Sequence, residues 1–432
     1  MASVTELATM LQELDDNLVS CMRCGLCQSV CPVYGATLKE GDVARGKIAL
    51  LEDLANEMIK DPEGVNEKLN RCLLCGSCQA NCSSGVHCMD IFLKARTIIA
   101  EYMGFSPIKK AIFRGMLQHP KVFNALMSVG SKTQGLFLKD ASNVVGTSCS
   151  GILSPLIGDR HFAKLAKTPF HSEVPSMDTP AGKSGLKVAF FPGCVSDKML
   201  TNLPKACMKV FEHHGVGVFI PPHQSCCGIP ALASGDKKAY DKLVARNMEL
   251  FTSGQFDYLI TPCATCTATI KEIWPELMAG YPAELQQKIT ALHDKVMDIS
   301  AFVVDVLKVD MAGEGKAGEN AKTITYHDPC HLSKSLGVRA QPRKLLGSNA
   351  NYTFKEMAES DRCCGSGGSF TLYHYDLSKD IGQRKRDNIV AAKAETVATS
   401  CPACMMQLMD ALSQNNDPVD VRHVIEVYAE TL

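Results

Sequence analysis

The stretches HQSCCGIPA (residues 223–231) and DRCCGSGGS (residues 361–369) each place two adjacent cysteines before a glycine. Neighbouring cysteines make a strained disulfide, and a tetrahedral zinc site draws its ligands from separated pairs. The surroundings of the two pairs match. VAFFPGC ends at Cys194 ahead of Cys226 and Cys227, and YLITPCATC brings Cys263 and Cys266 after them. In the same order, ITYHDPC ends at Cys330, then come Cys363 and Cys364, and VATSCPAC brings Cys401 and Cys404. Cys194 to Cys330, Cys226 to Cys363 and Cys263 to Cys401 are separations of 136, 137 and 138 residues. Five cysteines recurring at a near-constant offset mark an internal duplication.

Each copy reads as strand, cysteine loop, helix, strand, Cys-Cys-Gly turn, helix, and a third strand that delivers C-x2-C. Strands are expected at 188–191, 216–220 and 257–261, and again at 323–326, 352–355 and 395–399. Helices are expected at 200–214 and 236–252, and again at 336–346 and 376–393. Alternating strands and helices predict a parallel α/β sheet, whose carboxyl-end loops converge on one site. Five thiolates from three such loops exceed the needs of a tetrahedral zinc or a simple cubane. An unusual cluster, a cubane or zinc held by four of the five, and a vacant copy all remain open from spacing alone.

The first hundred residues carry a second pattern. CMRCGLCQSVCP (21–32) holds Cys21, Cys24, Cys27 and Cys31; CLLCGSCQANCS (72–83) holds Cys72, Cys75, Cys78 and Cys82, with Ser83 where the first run has Pro32. This is the C-x2-C-x2-C-x3-C run of two-cluster ferredoxins, in which the fourth cysteine, expected at a helix start, ligates the other cluster. Cluster one is therefore expected on Cys21, Cys24, Cys27 and Cys82, and cluster two on Cys72, Cys75, Cys78 and Cys31. Gly25 and Gly76 lie inside the loops, where a side chain would crowd a cluster. Cys88 has no slot in either set and reads as a small buried residue. Between the runs, RGKIALLEDLANEMI (45–59) has helical periodicity.

The 432 residues are 46% hydrophobic and 21% charged, with a formal net charge of −1, so no basic field for nucleic acid is present. The 21 cysteines are an odd number, which disfavours a complete disulfide framework. The acidic, amphipathic start MASVTELATMLQELDDNLVS is not a secretory signal, and no apolar run reaches the ~20 residues of a membrane span. A cytoplasmic setting is expected. Residues 103–139 interleave Lys109, Lys110, Arg114, Lys121, Lys132 and Lys139 with apolar clusters. They read as a packed helical connector, with peripheral association at the cytoplasmic face of the membrane as the alternative. Residues 167–185 are rich in Pro, Ser and Gly and read as a linker.

Taken together, these motifs resemble the fused iron–sulfur subunits of glycolate and D-lactate dehydrogenases, of anaerobic glycerol-3-phosphate dehydrogenase and of heterodisulfide reductase. The first hundred residues are similar to the helical ferredoxin domain of succinate dehydrogenase. The resemblance implies an α+β multidomain chain. Its parts are a helical ferredoxin domain with two [4Fe-4S] clusters (1–102), an amphipathic connector (103–185), and two Cys-Cys-Gly domains (186–310 and 318–432). It also implies ligand sets Cys194, Cys226, Cys227, Cys263, Cys266 and Cys330, Cys363, Cys364, Cys401, Cys404 for one or two further clusters, noncubane [4Fe-4S] among them. CATC and CPAC are intact, which keeps heterodisulfide-like chemistry open, whereas PCHL (329–332) and CCGSGGSF (363–370) look most like the hydroxyacid dehydrogenase branch.

No G-x-G-x-x-G or G-x-x-x-x-G-K-[ST] occurs in the required context, so no flavin, NAD or ATP site is expected in this chain. The implied role is an oxidoreductase subunit that carries electrons from an FAD-containing 2-hydroxyacid (lactate or glycolate) dehydrogenase subunit toward a quinone or other carrier. The alternatives are a disulfide-reducing subunit and the glycerol-3-phosphate dehydrogenase subunit. His223, His327 and His331 lie near the presumed ligands and read as structural histidines; for His331, proton donation is the alternative. No catalytic residue is assigned.

Overall fold

A computed structural model describes residues 4–150, 159–309 and 317–432. Residues 1–3 of the acidic start, 151–158 of the connector and 310–316, where the first repeat ends, lie outside the described residues. The chain divides into two compact units. The smaller comprises residues 1–115 together with Gly228–Lys242 and Arg362–Gln383; the larger holds the remainder.

The larger unit contains two similar sheets. The first uses β4 (Met177–Asp178), β5 (Lys187–Phe190), β6 (Gly217–Ile220), β7 (Tyr258–Thr261) and β8 (Val296–Asp298), in the order β4-β6-β5-β7-β8. The second uses β9 (Lys322–His327), β10 (Tyr352–Phe354), β11 (Thr396–Thr399) and β12 (Asp420–His423), in the order β10-β9-β11-β12. All pairings are parallel except β4 with β6. The second order repeats the first once β4 is set aside, so the duplication read from the cysteines is a duplication of topology. The α+β multidomain class holds. Central strands such as β6 and β11 are buried throughout, as parallel strands covered on both faces must be.

Three features were not foreseen. β8 and β12 add a fourth parallel strand to each copy; both are too short to show periodicity. The linker contributes β4 as an antiparallel edge. In the connector, β1 (Leu138–Ser142), β2 (Thr147–Ser150) and β3 (Phe162–Ala163) form a small antiparallel sheet after the helix Pro120–Thr133.

The two repeats share one hydrophobic core. Val188, Phe190, Val210, Phe211 and Phe302 from the first pack with Ile324, Tyr326, Leu345, Val424 and Ile425 from the second. Phe211 meets Phe190 edge-on at 5.5 Å and Phe302 at 6.3 Å. Each such side chain contributes about 1.5–3 kcal/mol by leaving water. The helix Asn202–His214 is tied to the last helix, Val424–Ala429, by Lys209 Nζ donating to the Ala429 carbonyl at 2.8 Å.

The smaller unit is helical. Ala44–Ala55 buries Ile48, Leu51 and Leu54, and Cys88–Met103 buries Ile91, Phe92, Ala95 and Ile99. The segment after the first Cys-Cys pair joins this unit rather than the sheets: Arg96 donates to the Ala233 carbonyl at 2.7 Å, and Arg114 grips Asp236 through Nε and Nη2 at 2.8 and 3.0 Å. The glycines closing the pairs have a backbone reason. Gly228 (φ 102°) and Gly365 (φ 93°) are left-handed, and a Cβ on Gly365 would lie 2.7 Å from the Ser378 carbonyl oxygen.

Candidate metal centres

In the smaller unit, Cys21, Cys24, Cys27 and Cys82 line one cavity, together with Cys78 and Cys88. Cys31, Cys72, Cys75 and Cys78 line a second. The two cysteine loops have the same backbone. Arg23 and Leu74, each just before the second cysteine of its run, take φ of 54° and 53°, and Gly25 and Gly76, just after it, take 90° and 69°. Left-handed backbone at a non-glycine residue is uncommon and costs of order 1 kcal/mol, so the surrounding structure holds both loops wrapped. The wrap points amide hydrogens at sulfur: Tyr34 N–H donates to Cys31 Sγ, Leu74 N–H to Cys72 Sγ and Val86 N–H to Cys82 Sγ, each at 3.4 Å.

Cys31 caps the helix Pro32–Thr37, as expected of a fourth cysteine. Cys82 does not cap a helix: the next one begins at Cys88. Pro32 has its φ already set for a first helical turn, and Ser83 lacks that constraint. Cys88 is buried in the lining of the first cavity, and its thiol contacts that of Cys78.

Burial pushes the Cys31 thiol up to about 12 and raises Cys27 and Cys72 as well. Cys24 is lowered, chiefly by the Leu26 amide. None of the 21 cysteines is in a disulfide. Unbridged, mostly half-buried thiols gathered around a cavity become stable thiolates when a metal supplies the compensating charge. The donor set is all sulfur, which suits iron–sulfur clusters or zinc and does not suit hard cations.

In the larger unit the first-repeat cysteines form a continuous chain. The Cys194 thiol contacts Cys226, Cys226 contacts Cys227, Cys227 contacts Cys266, and Cys266 contacts Cys263. Parallel topology explains the convergence, since Cys194, Cys226 and Cys263 follow the carboxyl ends of β5, β6 and β7. Cys263 caps the helix Ala264–Ala268, its sulfur accepting the Cys266 N–H at 3.5 Å. Two residues that sequence reasoning missed clamp the adjacent pair by its backbone. Asn247 Nδ2 donates to the Cys226 carbonyl at 3.0 Å, and Trp274 Nε1 donates to the Cys227 carbonyl at 3.1 Å. Trp274 is the single tryptophan of the chain and is buried, the one cue that could have drawn notice to it.

The C-x2-C turns of the two repeats meet. The Cys263 thiol contacts Cys401, Cys401 contacts Cys404, Thr265 Oγ1 lies 3.5 Å from Cys401 Sγ, and Ala264 N–H donates to the Ser400 carbonyl at 3.1 Å. Cys401 caps the helix Pro402–Gln414, and Cys330 follows β9 and is buried. Cys363 and Cys364 are buried in a segment of the smaller unit. His331 Nδ1 lies 3.2 Å from Thr265 Oγ1. Burial drives His327 down to about 3, making it a neutral imidazole. His223 takes a left-handed φ of 60° in the loop before the first pair.

Comparison with known proteins finds two domain families along the chain. The 4Fe-4S dicluster domain family matches residues 17–86, and the cysteine-rich CCG domain family matches residues 188–271 and again 324–409. The chain is 30% identical over 406 residues to a probable glycolate oxidase iron-sulfur subunit of Bacillus subtilis, covering 91% of this chain and 89% of that protein. It is 27% identical over 419 residues to a subunit of the fumarate reductase (CoM/CoB) of Methanothermobacter marburgensis, covering 95% of this chain and 71% of that one. Lactate utilization protein A of an Exiguobacterium species is 32% identical over 243 residues, 56% of this chain and 97% of that protein. With a dicluster ferredoxin motif followed by a duplicated cysteine-rich domain, the chain belongs to the family of the glycolate oxidase iron-sulfur subunit.

Proposed function

We propose that this chain is the electron-transfer subunit of a flavin-dependent 2-hydroxyacid dehydrogenase, taking electrons from a partner flavoprotein that oxidises lactate or glycolate and passing them toward a quinone or other carrier. The observation that carries this reading is the pair of adjacent cysteine-lined cavities, both of which Cys78 lines. Cys21, Cys24, Cys27 and Cys82 would hold one [4Fe-4S] cluster, and Cys31, Cys72, Cys75 and Cys78 the other. Cys194, Cys226, Cys227, Cys263 and Cys266 would hold a further iron–sulfur cluster. The repeat extends the same reading to Cys330, Cys363, Cys364, Cys401 and Cys404. Bound clusters supply one-electron redox chemistry. The protein's part is to keep each thiolate set wrapped and supplied with N–H donors, as at Cys31, Cys72, Cys82 and Cys263. Among the described residues no helix is long and apolar enough to cross a membrane, so contact with a lipid-soluble acceptor would be made at the surface or through a partner.

A second reading, reduction of a disulfide, draws on the meeting of Cys263 with Cys401, which would set two clusters side by side for a two-electron step. Anaerobic co-purification with the partner, followed by iron counting and EPR on adding lactate or glycolate, separates the two. Cluster reduction by a hydroxyacid through a flavoprotein supports the first; turnover of a disulfide with no response to any hydroxyacid supports the second. About eight irons per chain would mean the ferredoxin sites alone, and about sixteen would mean all four.

A further inference from the structure

The two ferredoxin cavities differ in charge. The second is lined by Lys47 and Asp42 as well as its cysteines. Lys47 is 1% exposed, and among the described residues its ammonium donates to the Gly41 carbonyl at 3.2 Å and makes no carboxylate ion pair within 4 Å. Burial lowers the pKa of this ammonium, opposed by the nearby Cys72, Cys31 and Asp42, with Arg96 as a like-charged neighbour. The Asp42 carboxylate is also fully buried, with Arg71 Nη1 at 3.5 Å and, among the described residues, no hydrogen-bond donor on either oxygen. Behind Cys72 lies Arg96, whose guanidinium donates to the carbonyls of Leu69 and Cys72 at 2.5 and 2.7 Å. In the first cavity the lining cations are Arg23 and Arg45, whose side chains are 57% and 29% exposed and held to Glu52 and Glu40, each at 2.5 Å, which offsets their charges. A buried charge acts through a low local dielectric, whereas an exposed and paired one is largely screened.

We infer that Lys47 sets the reduction potential of the second cluster, stabilising its reduced form, and that Asp42 opposes it from the same cavity. The inference rests on the reading that Cys31, Cys72, Cys75 and Cys78 hold a four-iron cluster. Reduction adds one electron, and so one net negative charge, to the cluster and its thiolates. Lys47 favours that added charge and Asp42 disfavours it, with Arg96 reinforcing Lys47 from behind the Cys72 carbonyl. Neither residue donates a ligand or moves a proton; both act by charge on the cluster.

The test is an EPR-monitored redox titration of the full chain, prepared anaerobically with its iron counted, with dithionite as reductant. Lys47→Met should make one four-iron signal harder to reduce, by about tenfold or more in its equilibrium constant, which is about 59 mV for one electron. Asp42→Asn, which keeps shape and loses only charge, should shift the same signal the opposite way. Opposed shifts with unchanged iron support the inference, because a merely loosened cavity would not change sign between two variants. Shifts in one direction, or none, at unchanged iron content overturn it. Should Lys47→Met lose iron, Asp42→Asn decides alone: an upward shift supports the inference, and no shift or a downward one refutes it. A wild-type chain without a second four-iron signal would overturn the functional reading as well, an outcome the iron count distinguishes.

Discussion

The adjacent cysteines 226 and 227 are held by their own carbonyls, and this can be tested through Trp274. Asn247 is fully buried and gives its Nδ2 to the Cys226 carbonyl at 3.0 Å. Asn247→Ala takes that donor away from the carbonyl in a site closed to water. An unmade buried hydrogen bond costs about 1–3 kcal/mol, and the small space left by the amide adds to it, so a loss of about 2–3 kcal/mol is expected. With a urea m-value of about 2–3 kcal/mol/M for a unit of this size, the unfolding midpoint should fall by about 1 M. The sole tryptophan lies against the neighbouring carbonyl at 3.1 Å, so its emission reports on the unit that contains the pair. Denaturation would be followed by tryptophan fluorescence and by the absorbance of bound clusters. The expected result is an earlier fluorescence midpoint with early loss of the absorbance of the cluster proposed at the first Cys-Cys-Gly site, while the ferredoxin signals persist. A midpoint unchanged within about 0.2 M would refute the claim that this hydrogen bond fixes the cysteine pair.

Two further outcomes follow from the larger unit. Phe211→Ala, at the centre of the core shared by the repeats, should cost about 3–5 kcal/mol and make both repeats lose protection together in hydrogen exchange; loss confined to the first repeat would contradict a common core. Asp298 is fully buried and burial raises its carboxyl to about 7, with one oxygen unpartnered among the described residues. A carboxyl raised in the folded state contributes stability below its unfolded value of about 4 and loses that contribution as pH rises through about 7. Asp298→Asn should therefore flatten the stability profile between about pH 4 and pH 7 and gain most at higher pH, up to about 4 kcal/mol; parallel wild-type and variant profiles would exclude this.

The duplication, the parallel strands and the ferredoxin motif could all be read from the chain, because each is written in local spacing. A cysteine offset near 137 residues needs no tertiary knowledge, and strands buried on both faces announce themselves as apolar runs such as VAFF at 188–191. β8 and β12 escaped notice because three or four residues carry no period. The helix expected after Cys82 failed for a local reason, the absence of a proline at position 83. Asn247 and Trp274 escaped because a side chain that donates to a distant carbonyl leaves no pattern around itself.

By itself the sequence determined which atoms are available for chemistry: eighteen of its cysteines fall in two ferredoxin runs and two five-cysteine sets, without a nucleotide-binding motif beside them. Only the tertiary structure decided which thiols touch. Cys263 and Cys401 are 138 residues apart and meet because two parallel sheets sharing one core present their C-x2-C turns to each other. Lys47 and Asp42 read as ordinary residues beside a helix start, yet in the folded chain both charges are buried in the lining of a four-cysteine cavity. Charge and sulfur act over ångströms, and the chain sets those distances only when packing brings remote segments together.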